Sequence, residues 1–143
     1  MLIGIGTMLV CIAIQCIGVS VVLHYIKGVI QRDKFPSGIR AFCGMVMIAL
    51  IILMTANMLQ VAVWAQLFMI LNEFEVYADA FYHSAVNFSS LGYGDIVMSE
   101  ERRLLGALEA GNGVLMFGLT TSVLFALIQS FLRRKFKAAD QEG

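Results

Sequence analysis

Ser89-Ser90-Leu91-Gly92-Tyr93-Gly94-Asp95, with the apolar run Ala80 to Ser90 that leads into it, decides the fold. Glycine reaches positive φ without steric cost, and two glycines one residue apart break any helix. The segment Glu73 to Glu101 around this motif is too long for a tight connection. Its middle, Ala80 to Leu91, is too apolar for a solvated loop. Asp79 is a candidate N-cap, and the run 80–90 then makes about three helical turns, roughly 16 Å. A half-length helix followed by glycine-rich backbone is a re-entrant loop. Irregular backbone survives at membrane depth only where it is buried in protein or lines a watery path.

The flanking sequence supplies the membrane. Of 143 residues, 59% are hydrophobic and 14% charged, with a mean hydropathy of +0.83. A soluble domain needs about a quarter of its residues charged, so a soluble globular fold is excluded. Ten Lys and Arg are balanced by ten Asp and Glu, which excludes a nucleic-acid partner. Cys11, Cys16 and Cys43 sit inside apolar runs without metal or disulfide spacing and read as small hydrophobes. Met1 to Ile26 and Ala41 to Asn72 carry no Asp, Glu, Lys or Arg, and Leu104 to Leu132 carries only Glu109. About 20 residues cross a ~30 Å hydrocarbon core, so each stretch spans. The first has neither the basic start nor the cleavage site of a signal peptide.

Lys27, Arg32, Lys34 and Arg40 follow the first span, and Arg133, Arg134, Lys135 and Lys137 follow the third. Only Arg102 and Arg103 fall between the second and third. The positive-inside rule puts the first loop and the C-terminus in the cytoplasm, and the N-terminus and the re-entrant segment outside. The expected fold class is all-α membrane, organised as an N-terminal transmembrane helix 1–30, a basic loop 31–40, a two-span domain 41–137 and a tail 138–143. Within the two-span domain the expected elements are a first helix 41–72, a short helix 80–90, the glycine-rich strip 90–95 and a last helix 103–132.

The glycine spacing has a chemical meaning. A desolvated cation needs its hydration shell replaced by oxygens that point inward. Alternating glycines let successive carbonyls turn toward one axis, but one loop supplies one oxygen per ring and cannot enclose an ion. Four copies can, so a homotetramer is expected.

The stretch 89–95 resembles the selectivity filter of potassium channels, usually Thr-Thr-Val-Gly-Tyr-Gly-Asp, and its setting of span, short helix, filter and final span is similar too. The resemblance covers roughly Arg40 to Lys137 and is most specific over Phe81 to Ile96. It implies a two-helix pore domain with one additional N-terminal helix, like small bacterial ion-channel proteins of the inner membrane. It implies potassium sites at the carbonyls of Ser90, Leu91, Gly92 and Tyr93, with Gly94 completing the filter. No further cofactor is expected, and membrane lipids are the other partners. Ser90 stands in place of threonine and Leu91 in place of valine, so the innermost site is expected to be the weaker one. Matched to the family, Tyr82 donates to Asp95, and His83 and Asn87 donate toward Tyr93. Val86 stands where some channels place a glutamate.

The same match puts Val114, Phe117, Thr121 and Phe125 on the cavity face of the inner helix, and aligns Gly113 with either a hinge or a close helix contact. Glu109 and Asn112 lie about 140° round from that face, toward the short helix or the second span, where a structural role is expected. In the first span Gln15, Ser20 and His24 are expected to face protein. Asp95, Glu100 and Glu101 are expected near the mouth, with Glu73 and Glu75 peripheral. No span has a regular arginine repeat, so no voltage sensor is expected, and the six residues after Lys137 offer no ligand-binding domain of their own. The gating stimulus and any regulatory partner stay open.

Other readings exist. A cation channel of lower selectivity and a membrane accessory subunit both fit the spans. Gly-x-Gly-Asp also occurs in intramembrane aspartyl proteases, but those need two carboxylates sharing a proton. Asp33, Asp79 and Asp140 all lie outside the spans, so the chain is not expected to be an enzyme.

Overall fold

The computed structural model describes residues 1–31 and 38–142, with side chains as far as Phe136. Arg32 and Lys34 of the expected basic loop, and the side chain of Lys137, lie outside the described residues. Four helices follow in order: α1 (Leu2–Gln31), α2 (Ile39–Ile70), α3 (Tyr77–Phe88) and α4 (Arg103–Glu142). The fold is all-helical, and α1, α2 and residues Arg103–Phe136 of α4 are long and apolar enough to cross a membrane. α3, with 12 residues, is about 18 Å long at 1.5 Å per residue.

α1, α2 and α4 pack side by side, and α3 lodges between α2 and α4 at one end. Met1, Leu71, Glu101 and Leu105 meet at that end. At the other, the rings of Phe42 and Phe131 stack with centroids 4.0 Å apart. The three long helices therefore alternate in direction along the chain. Trp64, Phe68 and Phe88 form the core at the α3 end, with Cys11 of α1 and Met116 of α4. Val22, Ala49, Leu53 and Leu127 continue it toward the other end.

Between helices in lipid there is no hydrophobic driving force, so close packing and interhelical hydrogen bonds must hold them. Both are present. Gln60 Nε2 donates to Gln15 Oε1 at 2.7 Å, and Gln15 Nε2 donates to Thr120 Oγ1 at 2.9 Å, which ties α2, α1 and α4 in one chain of bonds. Gly18 sets α1 against Ala56, where an added Cβ would stand 3.1 Å from the alanine methyl. Ser20 and His24, expected to face protein, are exposed instead. They lie about 140° and 180° round the helix from Gln15, so only the glutamine shares the buried face.

Several expected boundaries move. α3 begins at Tyr77, so Asp79 is not its N-cap but sits in its first turn. There its charge faces the positive helix end. α3 stops at Phe88, and Ser89 and Ser90 lie beyond it. α4 does not stop at 132; it runs to Glu142, so the expected tail is a continuation of the helix. No Gly or Pro occurs between Leu119 and Glu142, and Ala138-Ala139 are strong helix formers. α2 ends at Ile70 through a Schellman motif: Asn72, at φ 55°, donates its N–H to Met69 O, and Glu73 N–H donates to Phe68 O at 3.0 Å.

Gly113 is where α4 touches the end of α3. A Cβ there would overlap the carbonyl of Phe88, whereas a Cβ at Gly44 on the open side of α2 meets nothing within 4 Å. Gly113→Ala should therefore destabilise the protein by about 3 kcal/mol or more, because backbone cannot step aside as a side chain can. Gly44→Ala should be neutral or gain a few tenths of a kcal/mol from helix propensity. Thermal unfolding of the two variants in detergent checks the contrast.

Candidate functional site

The site grows out of the C-terminus of α3. Ser90 N–H donates to Asn87 O at 2.8 Å and Leu91 N–H to Val86 O at 3.0 Å, a second Schellman motif. Its left-handed residue is Ser90, at φ 58°. Gly92 follows at φ 61° and Gly94 at φ 72°, while Leu91 and Tyr93 between them keep negative φ. Alternating the sign of φ undoes the usual alternation of peptide planes in extended chain, so successive carbonyls turn to one side. No hydrogen bond among the described residues ends on the carbonyl of Ser90, Leu91, Gly92 or Tyr93. A row of acceptors without donors can serve a cation.

A Cβ at Gly92 or Gly94 meets nothing within 4 Å in the chain. The glycines are required by dihedral angle, not by space. Ser90 carries the same positive φ at some cost, and serine tolerates it better than a β-branched threonine. That is one physical consequence of the serine at this position.

The strip is held from behind. Tyr82 of α3 donates its hydroxyl to Asp95 Oδ2 at 2.8 Å. That bond, ahead of bonds from the backbone N–H groups of Asp95 and Ile96, holds the Asp95 carboxyl below the usual range; the same bond pushes the Tyr82 phenol up. His83 Nδ1–H donates to Ile96 O at 2.9 Å, and Asn87 Nδ2 donates to His83 Nε2 at 2.8 Å. His83 and Asn87 were expected to point at Tyr93; within the chain they bind each other and, through His83, the Ile96 carbonyl. Tyr93 is 69% exposed in the single chain. Asn87 also packs over Gly106 of α4, where a Cβ would come within 2.9 Å of its amide nitrogen.

Glu73, expected to be peripheral, anchors the return to α4. It accepts from Ser99 N at 2.8 Å, Ser99 Oγ at 2.9 Å and Arg102 Nη1 at 2.8 Å, and Arg102 also donates to Leu71 O. Burial pushes its carboxyl up, but the Ser99 bonds and the Arg102 charge outweigh it and the net shift is downward. A depressed carboxylate stabilises above its unfolded pKa and lets go as pH falls through the folded value. The fixed loop sets where Glu100 and Glu101 stand.

Val114, Phe117, Thr121 and Phe125 lie along one exposed stripe of α4, opposite the buried Glu109, Asn112 and Met116. Phe117 meets Phe88 edge-to-face with centroids 5.5 Å apart, so the stripe begins under the end of α3. Glu109 is in contact with Ser84 of α3, and Ser84 Oγ lies 2.8 Å from Val61 O of α2. Ser84 was not singled out in the sequence. The signal was available: a lone carboxyl in a span needs a polar partner, and Ser84 shares a face of α3 with Ala80 and Asn87.

Removing the Tyr82 hydroxyl should free Asp95. In Tyr82→Phe the Asp95 carboxyl should protonate at a higher pH than in the parent protein, read from its carboxylate band in a pH titration by infrared spectroscopy. An unchanged titration would show that the phenol does not hold the acid.

Among curated proteins and solved structures none matches the chain significantly. A family model described as an ion channel matches residues 58–130, which takes in the C-terminal part of α2, all of α3, the glycine-rich strip and α4 as far as Ser130, and leaves α1 outside. The match covers just over half of the sequence, and the chain belongs to the ion-channel family with a two-helix pore.

Proposed function

We propose that the protein conducts potassium ions passively through the axis of a homotetramer, with the carbonyls of Ser90, Leu91, Gly92 and Tyr93 as successive ion sites. One observation carries this: positive φ at Ser90, Gly92 and Gly94 alone within the strip, beside carbonyls that accept no bond. Every residue from Ser89 to Asp95 is exposed in the single chain. Irregular backbone at membrane depth needs protein or water around it, and three further copies supply both. The four exposed stripes of Val114, Phe117, Thr121 and Phe125 then face the space below the filter. The C-terminal end of α3 points its partial negative charge into that space and favours a cation there.

The orientation that fits the basic residues has the filter end and the N-terminus outside and the far end of α4 in the cytoplasm, in a bacterial inner membrane. Glu100 and Glu101, exposed beside the anchored loop, raise the cation concentration at the mouth. The serine at 90 and leucine at 91 favour a smaller margin of potassium over sodium than the usual motif; a cation channel of lower selectivity is the second outcome the test distinguishes.

Purified protein in liposomes under a potassium gradient should show flux that barium blocks and that an equal sodium gradient does not support. Equal flux of both ions would support the less selective channel, and no flux would refute conduction. Gly92→Ala or Gly94→Ala places an L-residue in the left-handed region at about 1–2 kcal/mol per chain, roughly 4–8 kcal/mol over four chains. Either variant should abolish selective flux. Parent-like potassium flux in either would overturn the assignment of the carbonyls.

A further inference from the structure

Glu109 is fully buried in α4 and faces the back of α3. Ser84 Oγ meets both Glu109 Oε1 and Val61 O. A serine hydroxyl has one proton to give, and a backbone carbonyl can only accept. Were the carboxyl ionised, two acceptors would contest that proton and one oxygen–oxygen contact would hold none. A proton on Glu109 resolves the count: the acid donates to Ser84, and Ser84 donates to Val61 O.

The surroundings agree. From α1 the nearby titratable group is the Cys11 thiol. α2 presents no titratable residue on its buried face. From α3 come Ser84 and the neutral amide of Asn87, with His83 beyond it. Arg103, six residues earlier on α4, lines the groove outside His83 and Asn87. Among the described residues no cation pairs with Glu109, and none bonds to its Oε2. A carboxylate buried without a cation is strongly disfavoured, because water no longer solvates the charge.

We infer that Glu109 acts as a neutral carboxylic acid that positions the filter through Ser84, locking α4 to α3 and α3 to the Val61 carbonyl of α2. The inference rests on the carbonyl-filter proposal above. α3 ends two residues before Ser90, so its placement sets the start of the ion row. On the other side Asn87, next to Glu109, holds His83, and His83 holds Ile96 just past the filter. Both ends of the strip are thus referred to one acid. Conduction is present while Glu109 keeps its proton and is lost as pH rises through its ionisation.

The test compares the parent protein with Glu109→Gln, which keeps a donor and an acceptor in nearly the same shape and cannot ionise, and with Glu109→Leu, which keeps neither. At neutral pH the parent should show the infrared C=O stretch of a protonated carboxyl that Glu109→Gln lacks. Glu109→Gln should conduct potassium like the parent at neutral pH and keep doing so in alkaline solution, where the parent loses flux reversibly. Glu109→Leu leaves Ser84 without its donor and should lose roughly tenfold or more in flux. Absence of the band would overturn the neutral acid whether or not the protein conducts. A shared alkaline decline in parent and Glu109→Gln, or loss of flux in Glu109→Gln at neutral pH, would overturn the positioning role. The band without flux in the parent would overturn the conduction proposal on which that role depends.

Discussion

Backbone N–H and C=O groups at membrane depth must be satisfied, and among the described residues no donor reaches the carbonyls of Ser90, Leu91, Gly92 and Tyr93. The rest of the molecule is arranged to make that exception stable. A Schellman motif stops α3 and starts the strip in one step, since Ser90 is both the left-handed cap of the helix and the first residue with positive φ. Gly92 and Gly94 continue the alternation where any other residue would resist it. Tyr82 and His83 then grip the far side, at the Asp95 carboxylate and the Ile96 carbonyl. Helix end, strip and return loop form one hydrogen-bonded unit.

Behind that unit, polar chemistry does in lipid what apolar burial does in water. Gln15, Gln60 and Thr120 join three helices, and Ser84 joins Glu109 to Val61. Gly113 lets α4 approach the Phe88 carbonyl, which is why a position alignable with a hinge is also a packing contact. α1 lies outside the residues matched to the ion-channel family, yet its Gln15 sits in the centre of this interior. It is bonded into the same frame as the pore helices.

Much of the frame was legible in the sequence because charge is so scarce. The gaps between charged residues marked three spans, and two glycines one residue apart marked the irregular strip. The Tyr82–Asp95 pair followed from the resemblance. Partners set by three-dimensional packing were not legible. The pairing of Glu73 with Ser99 and Arg102 spans 26 and 29 residues, and no local pattern announces it. Analogy points His83 and Asn87 at Tyr93, whereas within the chain they bond to each other and to the Ile96 carbonyl. Helix ends shifted by two or three residues because α3 starts after Val76, which supplies no side-chain cap, a start that the sequence does not advertise. α4 overran its expected end for the opposite reason, since nothing after Leu132 stops a helix before Gly143.

The central claim is geometric: carbonyls turned to one side in each chain face a common axis and hold ions there. Electron microscopy of the purified protein in potassium tests it most directly. The account predicts four chains around one axis, with a row of density between the carbonyls of Ser90, Leu91, Gly92 and Tyr93 that weakens when potassium is withdrawn. Another stoichiometry, or four chains whose strips turn their carbonyls away from an empty axis, would contradict it.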